Sequence, residues 1–394
     1  MRKQRIKGAL AAVVALSFVA AACGDDEESS STTAAPVDSG STDTMAPSDC
    51  AELTPVKLQL QWVTQAQFAG YYAAVEEGYY EAMCLDVEIL EGAVDITPQT
   101  VLANGDADFA ISWVPKALAS REAGADIVNI AQVFQRSGTL QVSFKDAGIT
   151  SPADFAGKTV GNWGFGNEFE VFAAMTAAGL DPATDVTNVQ QQFDMVGLLA
   201  GDIDAAEAMT YNEYAQVLEA INPDTGELYT PDDFNVISYE EEGVGMLQDA
   251  IWADGTRLGD EAYKNTAINF VAASLQGWAY CRDNVETCAE LVTAQGSALG
   301  LTHQTWQMNE VNKLIWPAEG GAGFIDQAAW DRTAQLSQET KNLEGTTVLT
   351  AAPDAEAYTN DIVTAAHAKL TEMGVDITGA GYAPIEVTLT EGGV

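Results

Sequence analysis

The chain has 394 residues, with 58 acids against 17 Lys and Arg and a formal net charge of −41. That balance excludes a binder of nucleic-acid phosphates, because the favourable counterion-release term requires clustered Lys and Arg. Two histidines and the lack of any CxxC make a metal site a poor reading, so neither metal nor cofactor is expected.

Residues 1–23 read as a targeting segment. Arg2, Lys3, Arg5 and Lys7 form a basic start, Ala9–Ala22 an apolar stretch short for a membrane span, and Ala20-Ala21-Ala22-Cys23-Gly24 a small-residue cleavage site. This is the pattern of a bacterial lipoprotein signal, with Cys23 as the lipidated N-terminus; an ordinary signal peptide that happens to contain a Cys is the alternative. Its removal leaves 13 basic residues and a net charge of −45. Residues 24–50 are mostly Asp, Glu, Ser, Thr, Ala and Pro, a composition that cannot offset its ordering entropy, so a flexible tether is expected.

The remaining length suffices for two lobes. Beyond Cys23 there are four cysteines, and in an exported chain an even count makes disulfides the default. Of the three connectivities, Cys50–Cys84 with Cys281–Cys288 is favoured.

Val56–Gln61 reads as a strand, followed by an amide-rich break and a helix over Phe68–Glu77 that Gly78 stops. The strand end directs Trp62, Gln65, Gln67 and Phe68 to one place, and in open α/β sheets ligands sit outside the strand carboxyl ends. Trp62 and Phe68 have core packing as their alternative. Leu85–Leu90 alternates as a strand, Thr97-Pro98 opens a helix that Gly105 ends, and Asp108–Ser112 is a short buried strand before the helix Lys116–Ala123. Ile127–Phe134 is a fourth strand. Strands alternating with short helices predict βαβ units and a parallel sheet.

After Gln141–Phe144, a helical turn near Pro152 and a strand ending at Gly161 begin a second α/β unit. Asn162-Trp163-Gly164-Phe165-Gly166 follows, then Asn167 with Glu170 three residues on, the spacing of a capping box that opens the helix Glu168–Ala178. Large aromatics on a tight Gly-rich turn point to a ligand-facing loop, although the spacing is not a dinucleotide fingerprint. Val186–Gln192, a helix to Gly201, Asp204–Ala208 and Tyr211-Asn212-Glu213-Tyr214 continue the alternation. Glu240–Gly245 reads as a return linker and Leu247–Ala253 as a strand rejoining the first sheet. From Gly259 onward the pattern is helical: Asp260–Arg282, Val285–Gln295, His303–Trp316, Gln327–Lys341 and Ala355–Glu372.

With these pieces placed, the chain resembles the solute-binding proteins of bacterial ABC importers, within the group related to the thiamine-pyrimidine-precursor binders. The resemblance rests on the Trp62–Gly78 segment, Leu102-Ala103-Asn104-Gly105-Asp106-Ala107-Asp108-Phe109, Asp154-Phe155-Ala156-Gly157-Lys158-Thr159-Val160-Gly161 and Tyr211-Asn212-Glu213. It implies an α/β, type II periplasmic-binding-protein fold. One lobe would be 51–144 plus 244–394 and the other 145–243, with crossovers near Gln141–Phe144 and Tyr239–Gly245 and a cleft between the lobes. Trp62, Gln65, Gln67, Phe68 and Trp113 would face Asn162, Trp163, Gly164, Phe165, Glu168, Tyr211, Asn212, Glu213 and Glu242 across it. Trp113 has core as its alternative, Asn212 a helix cap, Glu242 a solvated linker charge, and Lys116 either the cleft or a surface acid.

Where the thiamine-precursor binders commonly read Asn-Thr-Asn-His, this chain has Gln65-Ala66-Gln67-Phe68, which favours a larger aromatic ligand. A related flavin-binding branch resembles Gln65–Tyr72 and Trp163–Glu168 at least as well. The expected ligand is therefore a planar nitrogen heterocycle, riboflavin-like first and a thiamine pyrimidine precursor second. The expected partner is an ABC permease in the membrane, reached by a monomer anchored outside the cell through lipidated Cys23. Two other classes compete. An enzymatic branch makes the thiamine pyrimidine from pyridoxal phosphate, but its cofactor lysine and reactive histidine align with Ser112 and Lys116, and its cysteine cluster falls near Gly245–Gln248, so enzymatic activity is not expected. The other class is a structural or adhesive surface lipoprotein.

Overall fold

The computed structural model describes residues 50–394; the expected signal, the Cys23 lipidation site and all of the tether except Cys50 lie outside them. β1 (Thr54–Gln59) turns Val56 and Leu58 inward and leads through a short 3-10 turn into α1 (Ala69–Glu76). α2 (Tyr79–Ala82) and β2 (Leu85–Leu90) follow, then α3 (Pro98–Ala103) with Pro98 in its first turn, where its missing N–H costs nothing. β3 (Phe109–Ser112), α4 (Val114–Glu122) and β4 (Ile127–Gln132) complete the first run.

The sheet they form has the order β2-β1-β3-β10-β4. β2, β1 and β3 run parallel, as predicted, but β10 (Ala250–Asp254) is antiparallel to both β3 and β4. The reason is topological: the returning chain enters this sheet from the end toward which β3 and β4 run.

β5 (Thr139–Phe144) belongs to a different sheet. It pairs antiparallel with β8 (Ala206–Met209) and β9 (Phe234–Ser238), while β6 (Thr159–Asn162) pairs in parallel with β7 (Thr187–Gln190). α5 (Phe169–Ala177), α6 (Val196–Leu199) and α7 (Glu213–Leu218) pack around these strands. The predicted capping box at α5 does not form: the Asn167 amide donates to the Gly164 carbonyl at 2.8 Å, and the Glu170 carboxyl turns inward to accept from Ser137 Oγ at 3.0 Å and from the Met246 N–H. Glu170 thereby fastens both segments that run between the two sets of strands. Gln248 does the same, accepting from the Gly138 N–H at 2.9 Å and donating to Thr139 Oγ1 at 2.6 Å.

The rest is helical: α8 (Glu261–Asp283), capped by the Asp260 carboxylate, then α9 (Val285–Ala294), α10 (Leu301–Ile315), α11 (Gln327–Glu339) and α12 (Asp361–Glu372). Disulfides join Cys50 to Cys84 and Cys281 to Cys288.

α1 crosses α8 with backbone against backbone. A Cβ on Gly277 would stand 2.0 Å from the Gly70 carbonyl oxygen, and one on Gly70 would stand 2.3 Å from the Trp278 ring. Trp278 is fully buried, so the ring has nowhere to retreat. Gly277→Ala is therefore expected to destabilise the protein by about 2 kcal/mol, overpacking outweighing the roughly 1 kcal/mol by which Ala favours a helix. Urea denaturation reads this directly, and an unchanged or raised midpoint would show that the helices can part at no cost.

Candidate functional site

A cavity of about 400 Å³ opens between the end of the five-stranded sheet and the loops of the second strand set. Trp62, Gln65, Gln67, Trp113 and Lys116 line one wall; Trp163, Phe165, Asn167, Tyr211, Asn212 and Glu213 line the other. The wall at Trp62 is set by the abrupt end of β1, since the 3-10 turn Ala66–Phe68 bends the chain before α1 begins.

Asp249, just before β10, organises that wall. Its carboxylate accepts from Gln61 Nε2 at 2.5 Å, Trp113 Nε1 at 2.8 Å and Gln67 Nε2 at 3.0 Å, and Gln67 accepts in turn from Gln65 Nε2 at 2.7 Å. Burial pushes the carboxyl up to about 7, against the pull of Gln67, Trp113, Lys116 and Gln61. One buried acid thus orients three carboxamides and an indole.

On the opposite wall, the backbone at Gly164, Phe165 and Gly166 takes positive φ values of 70°, 56° and 84°. A phenylalanine rarely adopts this conformation, and the loop holds Phe165 64% exposed at the cavity mouth. Trp163 is buried, with its backbone N–H on Glu207 Oε2 at 2.8 Å, while its indole Nε1 has no hydrogen-bond partner. Phe193 lies between the walls, 4.7 Å from the Trp62 ring centroid and 6.4 Å from that of Trp163, and is nearly parallel to the latter. Two indoles and a phenyl ring therefore share one gap.

The remaining acids of this wall are held within the protein. Glu213 accepts from the Met209 N–H at 2.9 Å and from Asn212 Nδ2 at 2.7 Å, while Asn212 Oδ1 stands 3.0 Å from His303 Nε2. Burial raises the carboxyl pKa of both Glu213 and Glu207. Lys116 Nζ donates to Asn167 Oδ1 at 2.6 Å across the cavity, and burial lowers its ammonium to about 8 despite the nearby carboxylates. Among the described residues no three His, Cys, Asp or Glu side chains are grouped to hold a metal ion.

Several residues expected here stand elsewhere. Phe68 is wholly buried in the core behind the 3-10 turn, so it offers no stacking surface. Asn162 braces the loop, accepting from the Gly164 N–H at 3.1 Å, and Gly164 itself supplies only the turn. The Glu168 carboxylate accepts from the Gly166 N–H at 2.9 Å. Glu242 is exposed on the turn after β9, away from the cavity lining. Asn212, by contrast, does line the cavity, and although it sits at the N-terminus of α7 its side chain makes no cap there. Asp249, Gln61 and Phe193 escaped the sequence reading. The one hint at Asp249 is an acid interrupting the apolar run Val244–Ala253.

A family model described as NMT1/THI5 like matches residues 65–287. The formylaminopyrimidine-binding protein of Halalkalibacterium halodurans is 26% identical over 300 residues, covering 74% of this chain and 87% of that one. The riboflavin-binding protein RibY of Chloroflexus aurantiacus is 27% identical over 349 residues, covering 83% and 92%. Among solved structures, the periplasmic sulfonate-binding protein SsuA from Methylobacillus flagellatus KT aligns with a TM-score of 0.56 at 16% identity, covering 86% of this chain and 99% of that one. At that identity the likeness speaks to fold alone, and the fold is the type II periplasmic-binding-protein arrangement.

Proposed function

This chain belongs to the NMT1/THI5-like family, whose model spans more than half of it, and from that premise we propose that it is the extracytoplasmic solute-binding protein of an ABC importer. Its ligand is a planar nitrogen heterocycle, riboflavin-like first and a thiamine pyrimidine precursor second. The observation that carries this reading is the gap shared by Trp62, Phe193 and Trp163, with the unpartnered Trp163 Nε1 beside it. Aromatic faces hold a flat ring, each offset pair adding about 0.5–1.5 kcal/mol beyond area burial, and the carboxamides fixed by Asp249 take its polar edge. The cavity volume falls in the ordinary range for small-molecule sites. The names of both relatives, one binding riboflavin and the other formylaminopyrimidine, support the ligand class.

The strand pairing supports one lobe built around the five-stranded sheet and another around β5–β9, with the hinge at residues 133–138 and 239–249 instead of the 141–144 crossover expected from sequence. Cys23 would carry the lipid that keeps the domain beside its permease. We read the protein as a binder and not an enzyme: by the resemblance described above, Ser112 and Lys116 replace the lysine and histidine of the enzymatic branch, and the Ser112 hydroxyl donates to the Trp113 carbonyl at 3.3 Å.

Titrating the mature chain with riboflavin is expected to quench flavin fluorescence saturably at micromolar protein, and calorimetry with hydroxymethylpyrimidine covers the second ligand. If neither binds, the proposed ligand class is wrong.

A further inference from the structure

We infer that the cleft selects an uncharged ring system and rejects its phosphate ester, because the one cation that lines it is already held by an amide oxygen over an indole face and the starts of α4 and α5 beside that cation are closed to anions. This rests on the cleft being a heterocycle site and adds which chemical form of the heterocycle it takes.

Lys116 is the one Lys or Arg among the described residues lining the cavity. Its Nζ is held by Asn167 Oδ1 at 2.6 Å and lies 4.9 Å from the Trp113 ring centroid. An arriving phosphate would have to displace Asn167 from that ammonium. It would also bring a charge of about −1.5 to −2 into a buried space lined by Glu213.

Helix N-termini are the other usual source of anion donors. α4 begins beside the cavity, but its first N–H, on Val114, donates to the Leu247 carbonyl at 3.1 Å, and its second residue is Pro115, which has none. α5 begins behind Glu168, which places a carboxylate at the positive end of the helix and takes the Gly166 N–H for itself. An uncharged ligand meets none of these obstacles. It needs stacking surfaces and neutral hydrogen-bonding groups, which the indoles and carboxamides supply.

The test compares riboflavin with riboflavin 5′-phosphate by fluorescence quenching of the mature chain at matched ionic strength, with calorimetry against inorganic phosphate as a second arm. The ester is expected to bind at least about 30-fold more weakly than riboflavin, with the gap narrowing in Glu168→Gln, and inorganic phosphate is expected to give no saturable heat. Binding of the ester within about 3-fold of riboflavin would overturn the inference. So would saturable phosphate binding that Lys116→Met abolishes. Should neither riboflavin nor hydroxymethylpyrimidine bind, the ligand assignment falls, and the phosphate arm still decides whether the cleft excludes oxyanions.

Discussion

Asp249→Ala is expected to weaken riboflavin binding by more than about 100-fold and to lower stability by about 2 kcal/mol, through the donors it strands. The Asp249 carboxylate is the common acceptor for Gln61, Gln67 and Trp113, and through Gln67 it also sets Gln65. Removing it leaves two buried donors, on Gln67 and Trp113, and a half-buried one, on Gln61, without a partner, the buried ones costing about 1 kcal/mol or more each, partly offset because a buried carboxylate no longer has to be kept from water. The affinity loss is larger than any single contact because the four side chains form one wall of the cleft and would lose their orientation together. Asp249→Asn keeps the volume and one acceptor but turns an NH₂ toward donors, so it should fall between wild type and Ala. Fluorescence titration of the three proteins gives the order, and Asp249→Ala binding riboflavin within about 3-fold of wild type would show that the wall holds itself.

The second large effect is on pH. Asp249 and Glu170 both sit near 7 in the folded protein, against ordinary values of 3.8 and 4.5, because burial disfavours their charged forms. A carboxyl raised in this way binds its proton more tightly when folded, so its contribution is fully present below the ordinary value and is lost as pH climbs through about 7. Glu207 and Glu213 shift in the same direction, also by burial. Lys116 opposes them, but only as pH passes its folded value of about 8. Carboxyls held low by hydrogen bonds, such as Asp154 with Thr150 and Ser151, lose their contribution only in stronger acid, as pH falls through their depressed folded values. Stability should therefore decline steadily from about pH 5 to about pH 7.5, with Glu170→Gln flattening part of the slope. Urea denaturation at four pH values tests this; a midpoint that is level or rises over that interval would mean these acids are solvated after all.

The sequence by itself determined the alternation of elements. Val56 and Leu58 alternate because a strand exposes every second side chain, Pro98 marks a helix start because its missing N–H is harmless there, and Gly164 and Gly166 flag a turn that must take positive φ. Trp62, Trp113, Trp163 and Tyr211, all of which line the cavity, were legible as candidates because large aromatics close to strand ends and tight loops stand out against an acidic background. Phe68 was misread for the same reason: its position in the chain beside Gln67 resembles that of a cleft residue, and only packing turned it into the core.

Tertiary structure alone decided the rest. Gln61 and Asp249 are 188 positions apart, and no spacing rule picks one partner acid from 58. β10 runs antiparallel, and β5 joins the second sheet, because of how the chain crosses between the strand sets, which no local pattern records. Propensity acts over a few residues, whereas this cavity wall is made where distant segments bury one another's polar groups and must satisfy them there.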